Sequence, residues 1–108
     1  MKTEDKIKRI IEYFFKQKGY SLHSIFLFGS RVRQNYEEES DYDLFIILND
    51  KILQKEKKQL TMQVLRALHK EMKFTPFDVI IKSRKDFEEE KDIVNTISNE
   101  VSIEGIKL

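Results

Sequence analysis

The sequence predicts an α+β fold, a small mixed sheet with helices packed mainly on one face. Apolar residues recur at helical spacing in several segments, short β-rich runs separate those segments, and the resulting order α, β, α, β, α, β, α places a helix beside every strand. At 108 residues the chain is read as one domain, 1–108, with enough length for a single core and little for a second module.

Ile7, Ile10, Ile11, Phe14 and Phe15 follow the i, i+3, i+4, i+7, i+8 pattern of a core-facing helix, and Gly19 after Lys16 and Lys18 is its natural terminator. Ser24 to Phe28 is a short apolar run ending at glycine, the pattern of a buried strand that delivers Gly29 and Ser30 to its carboxyl end. A short helix is expected to start at Ser30. The polar stretch Gln34 to Ser40 reads as a surface loop, and Asp41 to Leu48 as a second strand closed by Asn49-Asp50, a turn or helix cap. From Lys51 to Lys73, Ile52, Leu53, Leu60, Val64, Leu65, Leu68 and Met72 recur at helical spacing among Lys, Glu and Gln, a long amphipathic helix that Pro76 punctuates. Phe77 to Ile81 is β-rich and supplies a third strand with Asp78 embedded in apolar neighbours. Ser83, three residues before Asp86, caps a further helical region. Phe87, Ile93, Val94, Ile97 and Val101 are its expected buried positions, before Gly105 and a short Ile106-Lys107-Leu108 tail.

With 20 basic and 19 acidic residues the net charge is +1, so no global field recommends a nucleic-acid or membrane surface as partner. The absence of cysteine excludes disulfides and thiolate metal sites. No apolar run is long enough to span a bilayer, and the opening Met1-Lys2-Thr3-Glu4-Asp5 leads into a charged amphipathic segment, so a cytoplasmic protein is expected.

The chemistry lies in Gly29-Ser30 followed, after ten residues, by Asp41-Tyr42-Asp43. Glycine lets the backbone approach a ligand closely, and Ser30 offers a hydroxyl and an amide at a helix N-terminus, where the dipole favours anions. Taken alone, the pair reads equally as a strand-to-helix turn with serine as N-cap. The acids tip the balance. Alternate residues of a strand share a face, so Asp41 and Asp43 project one way while Tyr42 and Leu44 project the other. Aspartate is depleted in strands, and three near apolar runs, Asp41, Asp43 and Asp78, destabilise the fold unless cations or hydrogen bonds compensate them. Three such carboxylates can hold two magnesium ions roughly 3.5 to 4 Å apart, activating an attacking oxygen and neutralising a leaving pyrophosphate. Asp78 is best placed to serve the ion nearest the nucleophile and to help take its proton.

Arg31 and Arg33 carry guanidinium forks suited to phosphate oxygens, or are simply solvated. His23 and His69 lack metal-ligand spacing, and neither is assigned a role. Glu37-Glu38-Glu39 and Glu88-Glu89-Glu90 read as solvated charge runs. Tyr36 is a candidate for stacking on a base, whereas Tyr42, pointing away from the acids, belongs to the core.

Gly29-Ser30-Arg31-Val32-Arg33 with Ser40-Asp41-Tyr42-Asp43-Leu44 resembles the glycine-serine and Asp-x-Asp motifs of the polymerase β nucleotidyltransferase superfamily, most closely its minimal nucleotidyltransferase (MNT) group. The resemblance covers almost the whole chain, including an acid in the position of Asp78 and the ending Glu104-Gly105-Ile106-Lys107-Leu108. Val32 and Gln34 depart from it, standing where alanine and glycine are commonest. It implies a polymerase β-like nucleotidyltransferase core, with Gly29 and Ser30 at the triphosphate and Arg33 and Ser40 also on the nucleotide side. Asp41, Asp43 and Asp78 are the implied catalytic residues at magnesium.

The resemblance also implies transfer of AMP from ATP to a macromolecular hydroxyl. Proteins of this group are typically antitoxins whose partner is a HEPN-domain RNase toxin, silenced by AMP on a tyrosine. A short chain with a nucleotide site has little left for an acceptor pocket, which agrees with a separate partner. The alternatives are an antitoxin that neutralises by contact alone, and transfer to a small molecule such as an aminoglycoside, for which related enzymes carry an extra domain. Direct nucleic-acid binding is not expected, for want of a basic or aromatic strand-binding surface.

Overall fold

The computed structural model describes residues 2–32 and 41–108, with Ser30 described by its backbone only. Helix α1 (Thr3–Lys18) buries Ile7, Ile10, Ile11 and Phe15, the stripe read from its spacing. Gly19 ends it in the left-handed region at φ 81°, and the amides of Gly19 and Tyr20 turn back to the carbonyls of Lys16 and Phe15. Strand β1 (Leu22–Phe28) runs into a single 3-10 turn, Gly29–Arg31. The chain then forms β2 (Tyr42–Leu48), α2 (Gln54–Glu71) and β3 (Phe77–Ser83). Asn49-Asp50 proves to be a turn. The Asn49 amide donates to the Ser21 carbonyl, and the Ser21 amide donates to the Asp50 carboxylate, tying the two strand ends together. Leu53 is the residue at the start of α2, and its amide donates to Glu56 one turn on.

The sheet is mixed, in the order β3-β2-β1-β4. β1 and β2 are antiparallel, while α2 crosses over the sheet so that β2 and β3 run parallel. The last strand, β4 (Ile106–Lys107), pairs antiparallel with Phe26 and Leu27 of β1, so the tail expected from the sequence is a short edge strand.

Both faces of β2 are covered, which explains its unbroken apolar run. Leu44, Ile46 and Leu48 face α1 and α2, where they meet Ile7, Ile11, Phe15, Val64 and Leu68 in the main core. Phe45 and Ile47 face the other way, toward Phe28, Phe87 and Val101 in a smaller cluster. The two long helices thus pack on one face, and two short ones, α3 (Arg84–Glu90) and α4 (Ile97–Glu104), close part of the other.

The helical region expected after Ser83 is broken between residues 91 and 96. Ser83 caps α3 as its spacing implied, accepting from the Asp86 amide at 3.2 Å. Asn95 then adopts a left-handed backbone at φ 72°, and Thr96 caps α4 by accepting from the Asn99 amide at 3.0 Å. Phe87 and Val101 are buried as expected, but Ile93, Val94 and Ile97 are 54 %, 74 % and 42 % exposed, because the break turns them outward. Glu90 likewise departs from a solvated charge run. Burial pushes its carboxyl up, but hydrogen bonds from Lys82 and from the fully buried Ser98 outweigh this and hold it below the ordinary value.

Phe87 is the buried anchor of α3, its ring stacked on Phe26 at 6.5 Å and tilted against Phe45 at 5.8 Å. Truncating a buried phenylalanine leaves a cavity that costs about 3–5 kcal/mol. Phe87→Ala is therefore expected to lower the urea midpoint by an amount equivalent to about 3 kcal/mol; a loss below about 1 kcal/mol contradicts the packing described.

Candidate active site

Strand pairing brings two of the three acids together. Asp43, next after the first residue of β2, stands in register with Asp78, next after the first residue of β3, across a parallel pair. On its other side Asp43 pairs with Phe28, the last residue of β1. One rung of the sheet therefore runs Phe28, Asp43, Asp78, and it lies where β1 hands over to the glycine turn. Neighbouring positions in register on adjacent strands share a face. Asp43 alternates with Leu44, so both acids lie on the α3/α4 face, opposite the main core.

Asp41 immediately precedes β2 and is exposed, as is Asp78, while Asp43 is half-buried. The Tyr42 amide donates to the Pro76 carbonyl at 3.0 Å, fixing the entry of β2 against the entry of β3. Burial pushes the Asp43 carboxyl above its ordinary value, and the charges of Asp78, Asp41 and Glu100, in falling order, push it the same way. All three predicted acids are thus felt at one point. Glu100, from α4, is a fourth, which sequence reasoning missed; its only signal was an acid in the first turn of a helix.

Gly29 has a specific steric reason for its identity. Its φ of 76° is one that side chains avoid, and a Cβ there would overlap the Asp43 carboxylate. The glycine lets the turn close down over an acid. The helix expected at Ser30 is only the 3-10 turn, closed by the Val32 amide on the Gly29 carbonyl at 3.1 Å, and is too short to carry a helix dipole. Arg31 stacks its guanidinium on the Tyr42 ring, 3.9 Å from the centroid. Arg33, Ser40, Tyr36 and the Glu37-Glu38-Glu39 run lie outside the described residues.

The acid pair suits a divalent cation, since a half-buried carboxylate with raised pKa beside like charges is relieved by positive charge. Among the described residues no group of three acids or histidines forms a cation site by itself. Magnesium at a phosphoryl site is usually held by one or two carboxylates together with substrate phosphates, which is the arrangement a single rung can offer. A groove of about 540 Å³ lies elsewhere, between α1 and α2 and lined by Ile10, Phe14 and Ala67. It is on the opposite face of the sheet, so the chemistry of the rung, and not cavity size, locates the site. Among the described residues no helix is long and apolar enough to cross a membrane.

The family model described as "Polymerase beta, Nucleotidyltransferase" matches residues 8–100. No curated protein gives a significant match. Among solved structures, a toxin-antitoxin complex with AMP-PNP is similar at 18% identity, covering 98% of this chain and 72% of that chain, with a TM-score of 0.60. A double aspartate-to-glutamate variant of the toxin-antitoxin MntA-HpeT gives 17% identity, 98% and 71% coverage and a TM-score of 0.57. A tyrosine-to-alanine variant of the same pair gives 18%, 100%, 72% and 0.59. At these identities the likeness is one of fold.

Two outcomes test the geometry. The folded pKa of Asp43 lies above its unfolded value, so its contribution to stability is complete below the ordinary carboxylate range and is lost as pH rises through the raised value. Without divalent cations, Asp43→Asn is expected to melt above the parent at neutral pH, the gap closing on acidification; a parent that melts higher at pH 7 contradicts the charge crowding. Gly29→Ala should lose more than about 2 kcal/mol, combining left-handed strain of about 1–2 kcal/mol with displacement of Asp43. Adding Asp43→Ala should restore part of it in urea titrations, and no restoration contradicts the close approach.

Proposed function

Because the chain belongs to the polymerase beta nucleotidyltransferase family, we propose that it transfers AMP from ATP to a tyrosine hydroxyl of a HEPN-domain RNase toxin and so acts as that toxin's antitoxin. The observation that carries this reading is the rung on which Asp43 and Asp78 stand in register beside Gly29. Two further findings support it. One structural neighbour is a toxin-antitoxin complex with AMP-PNP, and another is a variant in which two aspartates of such a complex were replaced.

Asp41, Asp43 and Asp78 are the residues that would hold magnesium, with two ions the expected number. Bound ions supply charge neutralisation along the triphosphate and lower the pKa of an attacking hydroxyl. The turn at Gly29 and Ser30 offers backbone amides to phosphate oxygens, and Arg33 and Ser40 complete the nucleotide side. The acceptor oxygen forms a bond to the α-phosphorus as the bond to the pyrophosphate oxygen breaks, and Asp78 helps to take the hydroxyl proton. The half-buried Asp43 is held between the turn and Asp78, so it fixes the spacing of the two ends of the site.

The test is to mix the chain and its toxin with labelled ATP and magnesium. Label is expected on the toxin, with Asp41→Asn and Asp43→Asn each reducing transfer by at least about a hundredfold and failing to neutralise. If no label reaches the toxin while both variants neutralise it as well as the parent, the chain acts by contact alone and the enzymatic reading is wrong. Label on a small hydroxylated molecule in place of the toxin would overturn the choice of acceptor.

A further inference from the structure

Behind Asp43 and Asp78, on the α1/α2 face, runs a row of side chains packed ring against ring and closed by a guanidinium. The Arg31 guanidinium lies 3.9 Å from the centroid of the Tyr42 ring, the Tyr42 ring lies 5.8 Å from that of Phe77, and Phe77 lies 5.6 Å from His69 of α2. Tyr42 and Phe77 are in register across β2 and β3, one rung before Asp43 and Asp78; Tyr42 is buried in the main core and Phe77 packs partly buried against it. Three members of the row sit beside residues of the site in sequence. Arg31 follows Ser30, Tyr42 separates Asp41 from Asp43, and Phe77 precedes Asp78.

We infer that Arg31, Tyr42 and Phe77 are positioning residues, a packed row that sets the spacing between the 29–31 turn and Asp41, Asp43 and Asp78. The inference rests on the reading of those acids and that turn as the catalytic site. The physical reason is the pleat. Side chains on the two faces of a strand hang from one backbone, so packing that fixes the Cα of Tyr42 also fixes the backbone on either side that carries Asp41 and Asp43. Aromatic rings have few rotamers and stack in preferred geometries, which suits them to transmit position. A guanidinium over a tyrosine face is held by the ring's quadrupole, so the contact pins the turn to the start of β2. Arg31 thus acts through Tyr42, in contrast to an arginine that contacts phosphate.

The test follows labelled AMP transfer to the toxin, with kcat and KM for ATP, together with the affinity of the chain for Mn2+ in the presence of AMP-PNP. Arg31→Ala and Tyr42→Leu are each expected to lower kcat about tenfold and to weaken Mn2+ binding similarly, with KM for ATP shifted less. The double variant should lose no more than the worse single one, because both break the same contact. Arg31→Lys and Tyr42→Phe keep a cation and a ring, and should each recover most of the loss. Arg31 lies in the turn, so its variants keep the test valid if Tyr42→Leu fails to fold. A rise in KM with kcat intact for Arg31→Ala marks a phosphate ligand and overturns the inference, as do multiplicative losses in the double variant or parent kinetics in Arg31→Ala. If the parent binds Mn2+ yet labels no acceptor, the catalytic reading fails alone, and the row stands or falls on the Mn2+ affinities of the same variants. A parent that neither transfers nor binds Mn2+ ends both.

Discussion

Asp43 and Asp78 stand side by side on adjacent parallel strands, and the rest of the site depends on that placement of two like charges on one rung. Partial burial first, and repulsion after it, raise the Asp43 carboxyl, so without a cation the pair works against folding at neutral pH. A strand pair places both acids within a few ångströms without recruiting a loop. It also keeps them apart from the main core, because alternation sends Leu44 and Val79 to the other face. The energetic strain is local and electrostatic, which is the kind a bound cation with phosphates removes.

The surroundings are arranged around that rung. The main core under α1 and α2 makes β2 a rigid central strand, buried on both faces over residues 44–48. The smaller cluster of Phe28, Phe45, Ile47, Phe87 and Val101 covers the far part of the acid face and reaches the rung at Phe28, beside Asp43. Gly29 fits over Asp43 because it has no side chain, and Glu100 of α4 adds a further negative charge from the side. Asp43 therefore lies half-buried at the edge of a packed layer, where electrostatic interactions are stronger than in bulk water, with Asp41 and Asp78 exposed.

Much of this was legible in the sequence because it follows from short-range rules. Helix α1 with its Gly19 stop, the three main strands and the Ser83 cap all came from periodicity and capping chemistry. Strand alternation from Asp41 on was the sequence expectation, whereas β2 begins at Tyr42 and leaves Asp41 just before it; the register of Asp43 with Asp78 is a long-range fact that no local pattern contains. The break before α4 was signalled by Asn95-Thr96, a residue tolerant of left-handed backbone followed by an N-cap, yet Ile93 and Val94 at helical spacing masked it. Strand β4 has only two residues, too few to show a period, and exists because β1 offers an unpaired edge. The stacking of Arg31 on Tyr42 was hidden for the same reason as the register, since it joins separate elements.

The most direct measurement of the central claim is a map of paramagnetic broadening in the amide spectrum of the chain on addition of Mn2+ with AMP-PNP. The account predicts broadening that begins together at the 29–31 turn, at Asp41 to Asp43 and at Asp78, with Glu100 next and the α1/α2 groove untouched. Broadening centred on Glu37-Glu38-Glu39 or Glu88-Glu89-Glu90, with the Asp43 and Asp78 amides unaffected, would contradict it.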